Sequence, residues 1–393
     1  MRNALVAAEI ALSLVLLAGA GLMMRTLVAL QNVDLGLNPD NVLVVRLPLP
    51  KESYKDAAAR KRFFTQLLPR IAGIPGVVAV TETSTLPPYG GIGSEVEVPG
   101  RTHNEKWHAI YQLCSEGYFP VLGLKLLHGR VLSEAEVQGA RKVAVVNETL
   151  ARKFFGDQDP LGRQIVLKDL ASSPDPVPNP SFEIVGVTRD AKNQGIQDPP
   201  MPEAMIPYTV TASYERGILV RTSGEPMALL NAVRREVWAV DRGVALTLAG
   251  TMKQYLKSFS YSEPRFTLLI LAIFAGIGLV LVAVGTYSVI SYNVSRRTHE
   301  IGIRMALGAG RGQVFGMILR ESAMVVGVGL VTGIAASLAA NRLIANQLWG
   351  VKPTDVPTLA FVAAIIATIG LLACLVPARK ATRIDPAISL RYE

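Results

Sequence analysis

Four long apolar runs, one at the beginning of the chain and three near its end, limit what these 393 residues can fold into. The clearest run, from Phe266 to Ile290, contains no charged residue. At about 1.5 Å per residue, a helix of that length crosses a bilayer with some tilt. The pattern predicts four transmembrane helices, at residues 1–30, 263–293, 314–340 and 358–377.

The first run has a second interpretation, a cleaved secretory signal peptide. Met1-Arg2 supplies a basic start, and Ala18-Gly19-Ala20 resembles a cleavage site. However, the apolar pattern continues past that site through Leu22 and Val28, which makes the run longer than the apolar core of a typical signal peptide. We therefore favour a retained helix.

The distribution of basic residues predicts how the helices cross. The loop at residues 294–313 holds four arginines against one acid, Glu300, and the tail at residues 378–393 is also basic. The link at residues 341–357 carries only Arg342 and Lys352 as basic residues. By the positive-inside rule the loop, the tail and both termini are cytoplasmic. The large segment at residues 31–262 is then expected outside the cytoplasm.

The large segment is polar and long enough to bury a core of its own. Two strand–helix–strand units are predicted, at residues 41–84 and 217–248. Short strands are predicted between them, at residues 142–147, 164–167 and 182–187. The expected fold class is an α-helical membrane protein with four transmembrane helices and a large α/β extracytoplasmic domain of two subdomains, one of them inserted at about residues 118–202.

The loop between the second and third runs contains a short amphipathic pattern. Ile301, Met305 and Leu307 are expected on one side, and Gly308-Ala309-Gly310 is a plausible helix end. A short helix at a membrane surface can offer its polar side to a cytoplasmic partner. A solvated basic turn that only sets the topology is an equally good interpretation of the spacing.

The chain shows no recognisable catalytic chemistry. It lacks the G-x-x-x-x-G-K-[ST] nucleotide-binding loop, and the glycine-rich residues 308–312 lack its lysine. No His, Asp or Glu spacing fits a metal site, so we predict no catalytic residue, no metal and no cofactor. The net charge of +9 does not indicate nucleic acid, because many of the basic residues flank the apolar runs.

Small residues form two candidate packing faces in the apolar runs. Gly329, Gly333 and Ser337 lie on one side of the third run, and Ala272 and Gly276 on one side of the second. Such faces let helix backbones approach closely. We favour packing within the chain, with a dimer interface as the alternative.

Two acids, Glu9 and Glu321, fall within the apolar runs near their cytoplasmic ends. An ionisable group at that depth is costly unless it is paired or hydrated. One hypothesis gives them a substrate or proton role. We favour local pairing, with Arg320 as a candidate partner of Glu9, or extension of either side chain to the membrane surface.

Residues 296–309, from Arg-Arg-Thr-His-Glu-Ile-Gly-Ile-Arg to Ala-Leu-Gly-Ala, resemble the signature loop of MacB/FtsX-type ABC transporter permeases. Residues 377–393 resemble the C-terminus of that family. Within the large segment, Tyr118–Gly123, Val145–Glu148, Asp159–Gly162 and Ile184–Val187 resemble its periplasmic core domain. The likeness covers nearly the whole chain.

The resemblance implies a bacterial inner-membrane permease with a periplasmic domain of porter-like and Sabre-like parts. It implies a cytoplasmic ATP-binding subunit as partner, a second permease copy or half as dimer partner, and a periplasmic adaptor as a further candidate. The loop would carry a coupling helix seated on the ATPase, with contacts from Glu300, Ile301, Gly302, Arg304, Met305 and Gly308. The opening residues, including Glu9-Ile10-Ala11-Leu12, also resemble the second half of duplicated, eight-span acidobacterial-type permeases.

Three functions remain open from the sequence. The family resemblance favours mechanotransmission, in which ATP-driven motion reaches the periplasmic domain for efflux or export of a small molecule, peptide or lipoprotein. A non-transporting, FtsX-like signalling subunit that controls a periplasmic partner is the alternative. A membrane-tethered enzyme is disfavoured, because no cluster of acids, histidines or nucleophiles is evident.

Overall fold

A computed structural model describes residues 2–101, 105–211, 216–307 and 310–382. The chain divides into two compact units. One, here called the large domain, is Val33–Ser260. The other, here called the helical unit, combines the described parts of Met1–Asn32 and Tyr261–Glu393. Most of the predicted basic tail, from residue 383 onward, lies outside the described residues.

The helices and strands are numbered in chain order. The helices are α1 Arg2–Gln31, α2 Ala57–Ala72, α3 Tyr118–Leu122, α4 Glu134–Gln138, α5 Glu148–Phe155, α6 Leu230–Val240, α7 Met252–Phe259, α8 Ser262–Arg296, α9 Thr298–Ala306, α10 Arg311–Ala340 and α11 Val356–Ala381. The strands are β1 Val42–Arg46, β2 Val77–Thr83, β3 Ile92–Glu97, β4 Trp107–Cys114, β5 Leu126–Gly129, β6 Val143–Asn147, β7 Gln164–Leu167, β8 Ser181–Thr188, β9 Glu203–Pro207, β10 Gly217–Thr222 and β11 Thr247–Thr251.

The four predicted apolar runs are present as α1, α8, α10 and α11, each long and apolar enough to cross a membrane. Helix α1 packs against the other three, and its Ile10, Leu14 and Ala18 are fully buried in the shared core. An amphipathic stripe would not suffice for a helix contacted on several sides, which explains why α1 is apolar nearly all round. This packing favours a retained first helix over a cleaved signal peptide.

Glycines set the distance between α1 and α10. A Cβ atom placed on Gly329 would lie 2.7 Å from Cβ of Ile10, and one on Gly333 would lie 2.9 Å from Cα of Ala11. Both distances are too short for any larger side chain, and Ser337 is buried on the same face. The small face of α10 therefore packs within the chain.

The small face predicted on α8 is placed differently. Ala272 and Gly276 are exposed, and a Cβ on Gly276 would meet no described atom within 4 Å. The glycines of α8 that approach α1 are Gly278, against Ser13, and Gly285, against Glu9. The face at Ala272 and Gly276 is thus free for lipid or for another chain.

The first part of the large domain is an antiparallel sheet in the order β11, β1, β10, β2. It unites the two predicted strand–helix–strand units, because β1 and β2 of the first unit flank β10 of the second. Helix α2 packs on β2 and α6 and buries Phe63, Phe64 and Leu67. The last strand starts at Thr247, three residues later than its predicted start at 244, after a turn in which Gly243 N–H donates to Asp241.

The second part of the large domain is a closed ring of six strands. Each strand pairs with the next in the order β4, β3, β7, β8, β6, β9, and β9 closes the ring by pairing in parallel with β4. The ring joins the first sheet through one pairing, Thr83 with Cys114. It extends from Ile92 to Pro207, whereas the sequence predicted an insertion at about residues 118–202.

Candidate functional site

Helix α9 lies between α8 and α10 and is anchored by one apolar side. Ile301 is 1% exposed and belongs to a core with Ile290 of α8 and Val314 and Ile318 of α10. Met305, one turn further, packs against the same core. Contact of these two side chains, one turn apart, with the core fixes which side of the short helix faces outward.

The outward side of α9 combines charge with exposed apolar groups. Glu300 and Arg304, one turn apart, form an ion pair of 2.6 Å, and both side chains are about half exposed. Ile303 is also exposed, and Leu307, just after the helix, is 83% exposed. These four side chains form what we call the α9 surface, which consists of Glu300, Ile303, Arg304 and Leu307.

The predicted coupling residues divide between the two sides of the helix. Glu300 and Arg304 belong to the α9 surface, whereas Ile301 and Met305 face the helical core and have little surface to offer a partner. Gly302 lies within α9, and Gly308 lies outside the described residues. The sequence pattern predicted Leu307 on the side of Ile301 and Met305, which is wrong, because Leu307 is 83% exposed; the spacing 300, 303, 304, 307 puts it on the side of the two charges. Ile303, on the same outward side, was missed.

The intramembrane acids have different surroundings. Glu321 forms an ion pair with Arg297 at the start of α9, and both side chains are nearly half exposed. Glu9 makes no hydrogen bond or ion pair with the described residues, and its Oε2 lies against Gly285. Arg320, the predicted partner of Glu9, is exposed and pairs with neither acid.

Side chains that could ligate a metal ion lie apart from one another in the described part of the chain. Across the described ranges, no cluster of three or more His, Cys, Asp or Glu side chains could hold a metal ion. Both cysteines, Cys114 and Cys374, are buried and free. The α9 surface presents both charge and exposed apolar side chains.

Two family models match this chain in succession. Residues 5–239 match the MacB-like periplasmic core domain, and residues 272–386 match the FtsX-like permease C-terminal region. The chain belongs to the MacB/FtsX family of permeases. The matches cover both the large domain and the α9 region, so this family assignment applies to both units described above.

Curated relatives in this family carry the name macrolide export ATP-binding/permease protein MacB. The one from Chromobacterium violaceum is 28% identical over 285 residues, which cover 70% of this chain and 42% of that protein. The one from Burkholderia thailandensis is 29% identical over 301 residues, covering 74% of this chain and 44% of that protein. The chain thus spans about two fifths of the length of the curated relatives it matches.

Solved structures with some likeness are domains that lie outside the cytoplasm in their own proteins. The periplasmic region of MacB from Actinobacillus actinomycetemcomitans has a TM-score of 0.39 and 16% identity, and covers 57% of this chain and 94% of that chain. The extracellular domain of the ABC-type transporter YknZ from Gram-positive bacteria has a TM-score of 0.33 and 14% identity, with 50% and 90% coverage.

Proposed function

We propose that this chain is the membrane subunit of an ABC-type complex, which transmits ATP-driven motion from a cytoplasmic partner to the large domain. The observation that carries the proposal is the α9 surface, a charged and apolar face held rigidly by buried Ile301. Curated relatives are named as ATP-binding/permease proteins, which supports an ATPase as the partner. Efflux or export of a small molecule, peptide or lipoprotein is the activity we propose for the complex.

The proposal requires α9 on the cytoplasmic side and the large domain on the other. The basic residues of the loop and the tail support this orientation, because positively charged segments are retained in the cytoplasm. Arg296, Arg304 and Arg311 are all exposed, so their charge is available at the membrane surface. A cysteine introduced at Leu307 should react with a membrane-impermeant maleimide only after the cell envelope is opened.

The proposal also includes a second permease copy or half. The exposed side of α8 supports this, since Ala272 and Gly276 leave a flat strip among exposed Ile273, Phe274 and Ile277. A flat strip lets another helix approach closely in lipid. Cysteine cross-linking at Gly276 in native membranes should give a dimer-sized species, whereas cross-linking at Val328 of α10 serves as the exposed control.

The central experiment isolates the full chain from its own cells in mild detergent, identifies the co-purified proteins and measures ATP hydrolysis. We expect an ATP-binding protein to co-purify. The double change Glu300→Lys with Arg304→Glu reverses the two charges but retains the pair and the net charge. The fold should therefore change little, since such a pair contributes only about 0.2–0.5 kcal/mol. The ATP hydrolysis that the membrane subunit stimulates in its partner should fall at least about tenfold. Changes of residues at the centre of a protein–protein interface have effects of this size.

A matched control makes the same charge exchange elsewhere. Glu52 and Lys55 form an exposed pair in the large domain, at 3.6 Å, so Glu52→Lys with Lys55→Glu should leave ATP hydrolysis unchanged. Full ATP hydrolysis in the Glu300/Arg304 variant, or isolation without any ATP-binding protein, would contradict the proposal. The efflux activity is tested separately, by substrate release from vesicles that contain the reconstituted complex.

The two sides of α9 provide a second test. Leu307→Asp places a charge on an exposed position, so insertion and folding should persist while the partner is lost. Ile301→Asp buries a charge in the helical core and should destabilise the helical unit itself. If the Ile301→Asp variant folds and still co-purifies with the ATP-binding partner, α9 is not anchored as described.

A further inference from the structure

The large domain contains a cleft whose floor is made of buried polar side chains. The cleft encloses about 410 Å³ of empty space, counting the solvent at its mouth, and only a small part of it is closed off from solvent. Five polar side chains on its floor are buried: Gln112, Asn147, Thr188, Asn193 and Glu203. Its walls are apolar, with Leu122 and Met205 among the lining residues. A concave site with apolar walls and a few converging polar groups is typical of ligand sites.

The side-chain amides of Asn147 and Asn193 form hydrogen bonds to other groups of the protein. Asn147 accepts hydrogen bonds from the backbone N–H groups of Leu150 and Glu203, both at 2.9 Å, and donates to the carbonyl of Met201. Asn193 accepts from Met201 N–H and donates from Nδ2 to Oε2 of Glu203 at 3.0 Å. These bonds hold the Glu203 carboxyl in one orientation at the start of β9.

Two polar atoms at the cleft remain without a protein partner. Among the described residues, Oε1 of Glu203 accepts no hydrogen bond, although the residue is only 8% exposed. The hydroxyl of Tyr118, which is 4% exposed, also has no hydrogen-bond partner in the described ranges. Both atoms keep some accessible surface, so each can accept a hydrogen bond from a ligand that enters the cleft.

The basic side chains at the mouth do not compensate Glu203. Arg189 donates to Asp34 at 3.0 Å, and Lys192 donates to the carbonyl of Asp198 at 2.6 Å. The described part of the chain contains no ion pair to Glu203. Its burial instead raises the pKa of Glu203 to about 7, opposed by the Asn193 hydrogen bond and supported by the nearby charge of Asp190.

We propose that this cleft binds a primary ammonium group, with Oε1 of Glu203 and the hydroxyl of Tyr118 as its acceptors. The small closed space fits a compact head group. A guanidinium group is a poorer fit, because its strongest, two-pronged pairing uses both carboxylate oxygens and Oε2 already accepts from Asn193. A metal ion is also a poor fit, because Glu203 belongs to no cluster of potential ligands among the described residues. The inference does not depend on the proposed coupling function.

Binding of an ammonium group should strengthen as pH rises through 7, because it requires the carboxylate form of Glu203. The titratable or charged groups near this carboxyl are Asp190, Arg189, Lys192, Tyr118 and Cys114. Burial raises the pKa of the Tyr118 hydroxyl and of the Cys114 thiol well above their usual values, so both stay neutral across this range. Because an α-amino group with a pKa near 8 is about half deprotonated at pH 8, the affinity for such a probe at pH 6 should be about fourfold lower than at pH 8.

The test uses the full chain in detergent and isothermal titration calorimetry at pH 8. The probes are glycinamide, as a free small amine, and the peptide Gly-Leu-Ser-Ala-amide, as a chain terminus, each compared with its N-acetylated form. Binding of either amine, with no binding of its acetylated form, supports the proposal, and the better probe identifies the source of the ammonium group. No heat from either amine up to about ten millimolar, or equal binding of the acetylated forms, would overturn it.

Variants assign the binding to the cleft. Glu203→Gln keeps the shape and the Asn193 hydrogen bond but removes the charge, and it should weaken binding at least about tenfold. Glu183→Gln makes the same change on an exposed position of β8 and should have no effect. Should Glu203→Gln fail to fold, Tyr118→Phe removes the second acceptor alone and should weaken binding about threefold. Unchanged affinity in a folded Glu203→Gln or Tyr118→Phe variant would overturn the assignment.

Discussion

Two buried acids of the large domain, Glu82 and Glu203, differ in what surrounds them. Burial raises the pKa of each carboxyl to about 7. Glu82, on β2, faces Arg216 at 3.1 Å, and both side chains are fully buried. Glu203 faces an amide and an open cleft. A raised pKa alone therefore does not distinguish a structural acid from a binding acid, whereas the presence of a cation supplied by the chain does.

The site around Glu82 is filled by the protein. The guanidinium of Arg216 lies 5.5 Å from the ring centres of both Phe64 and Tyr208, and it donates to the carbonyl of Thr211 at 3.0 Å. Both Glu82 oxygens are buried and accept no hydrogen bond from the described residues, so the ion pair with Arg216 is what compensates this carboxylate. The pair fastens β2 to the segment before β10 and contributes to specifying the fold.

The largest expected effect comes from removing Arg216, the cation that pairs with Glu82. Arg216→Met leaves Glu82 buried and unpaired, which should destabilise the sheet by about 3–5 kcal/mol at pH 8. The loss should be smaller at pH 5, because protonation of Glu82 removes the uncompensated charge. Hydrogen exchange of the β2 and β10 amides measures both values. If adding Glu82→Gln to Arg216→Met recovers no stability, the pair is not the cause.

A smaller change in the free energy of unfolding, of opposite sign, is expected for Glu203 at the cleft. The folded chain holds the proton of Glu203 more tightly than the unfolded chain, because its pKa rises from 4.5 to about 7. Stability from this group therefore falls as pH rises from about 4.5 to 7 and stays lost above that range. Without ligand, Glu203→Gln should stabilise the domain by about 1–3 kcal/mol at pH 8 and hardly at all at pH 5.

The same exchange measurement at the β9 amides tests this prediction. Glu183→Gln, at an exposed position, should show no such dependence on pH. A Glu203→Gln variant that is less stable than the natural chain at pH 8 would mean that the cleft carboxylate is already compensated, and the contrast with Glu82 would then be wrong.

The smallest effect on stability is expected for Tyr118→Phe. The hydroxyl has no partner among the described residues, so its removal should change the free energy of unfolding by less than about 0.5 kcal/mol. Chemical denaturation of the natural chain and the variant, compared at the same pH, checks this value. A loss above about 1 kcal/mol would indicate a buried hydrogen bond and would make Tyr118 a structural residue like Arg216.

The sequence predicted the elements with strong periodicity and missed those without it. The strand–helix–strand unit from β1 to β2 appears where it was predicted, because its helix has a clear apolar side. Strands β3 and β9 were missed, since Ile92–Glu97 contains Gly93 and two acids, and Glu203–Pro207 is short and buried throughout. Both strands form through pairing with β4: β3 pairs with it across the connection at residues 98–106, and β9 pairs with it from far away in the sequence.

In the α9 region, too, some features follow from local sequence and others from contacts with distant residues. Its helix, its charges and its position between two apolar spans follow from local spacing. The exposure of Ile303 and Leu307, and the burial of Ile301, depend on side chains of α8 and α10 that lie far away in sequence. The sequence could therefore predict the surface helix but not which of its apolar residues are free for a partner.

By itself, the sequence determined the four apolar helices, the predicted orientation of the chain and the family, because hydrophobic length, charge bias and local motifs are properties of contiguous residues. Tertiary structure decided the closed ring of strands, the side of α9 that faces outward and the contrast between Glu82 and Glu203. Each of these depends on which distant groups meet a given atom. An arginine opposite one carboxylate and a cleft opposite the other result from chain folding, which no local pattern encodes.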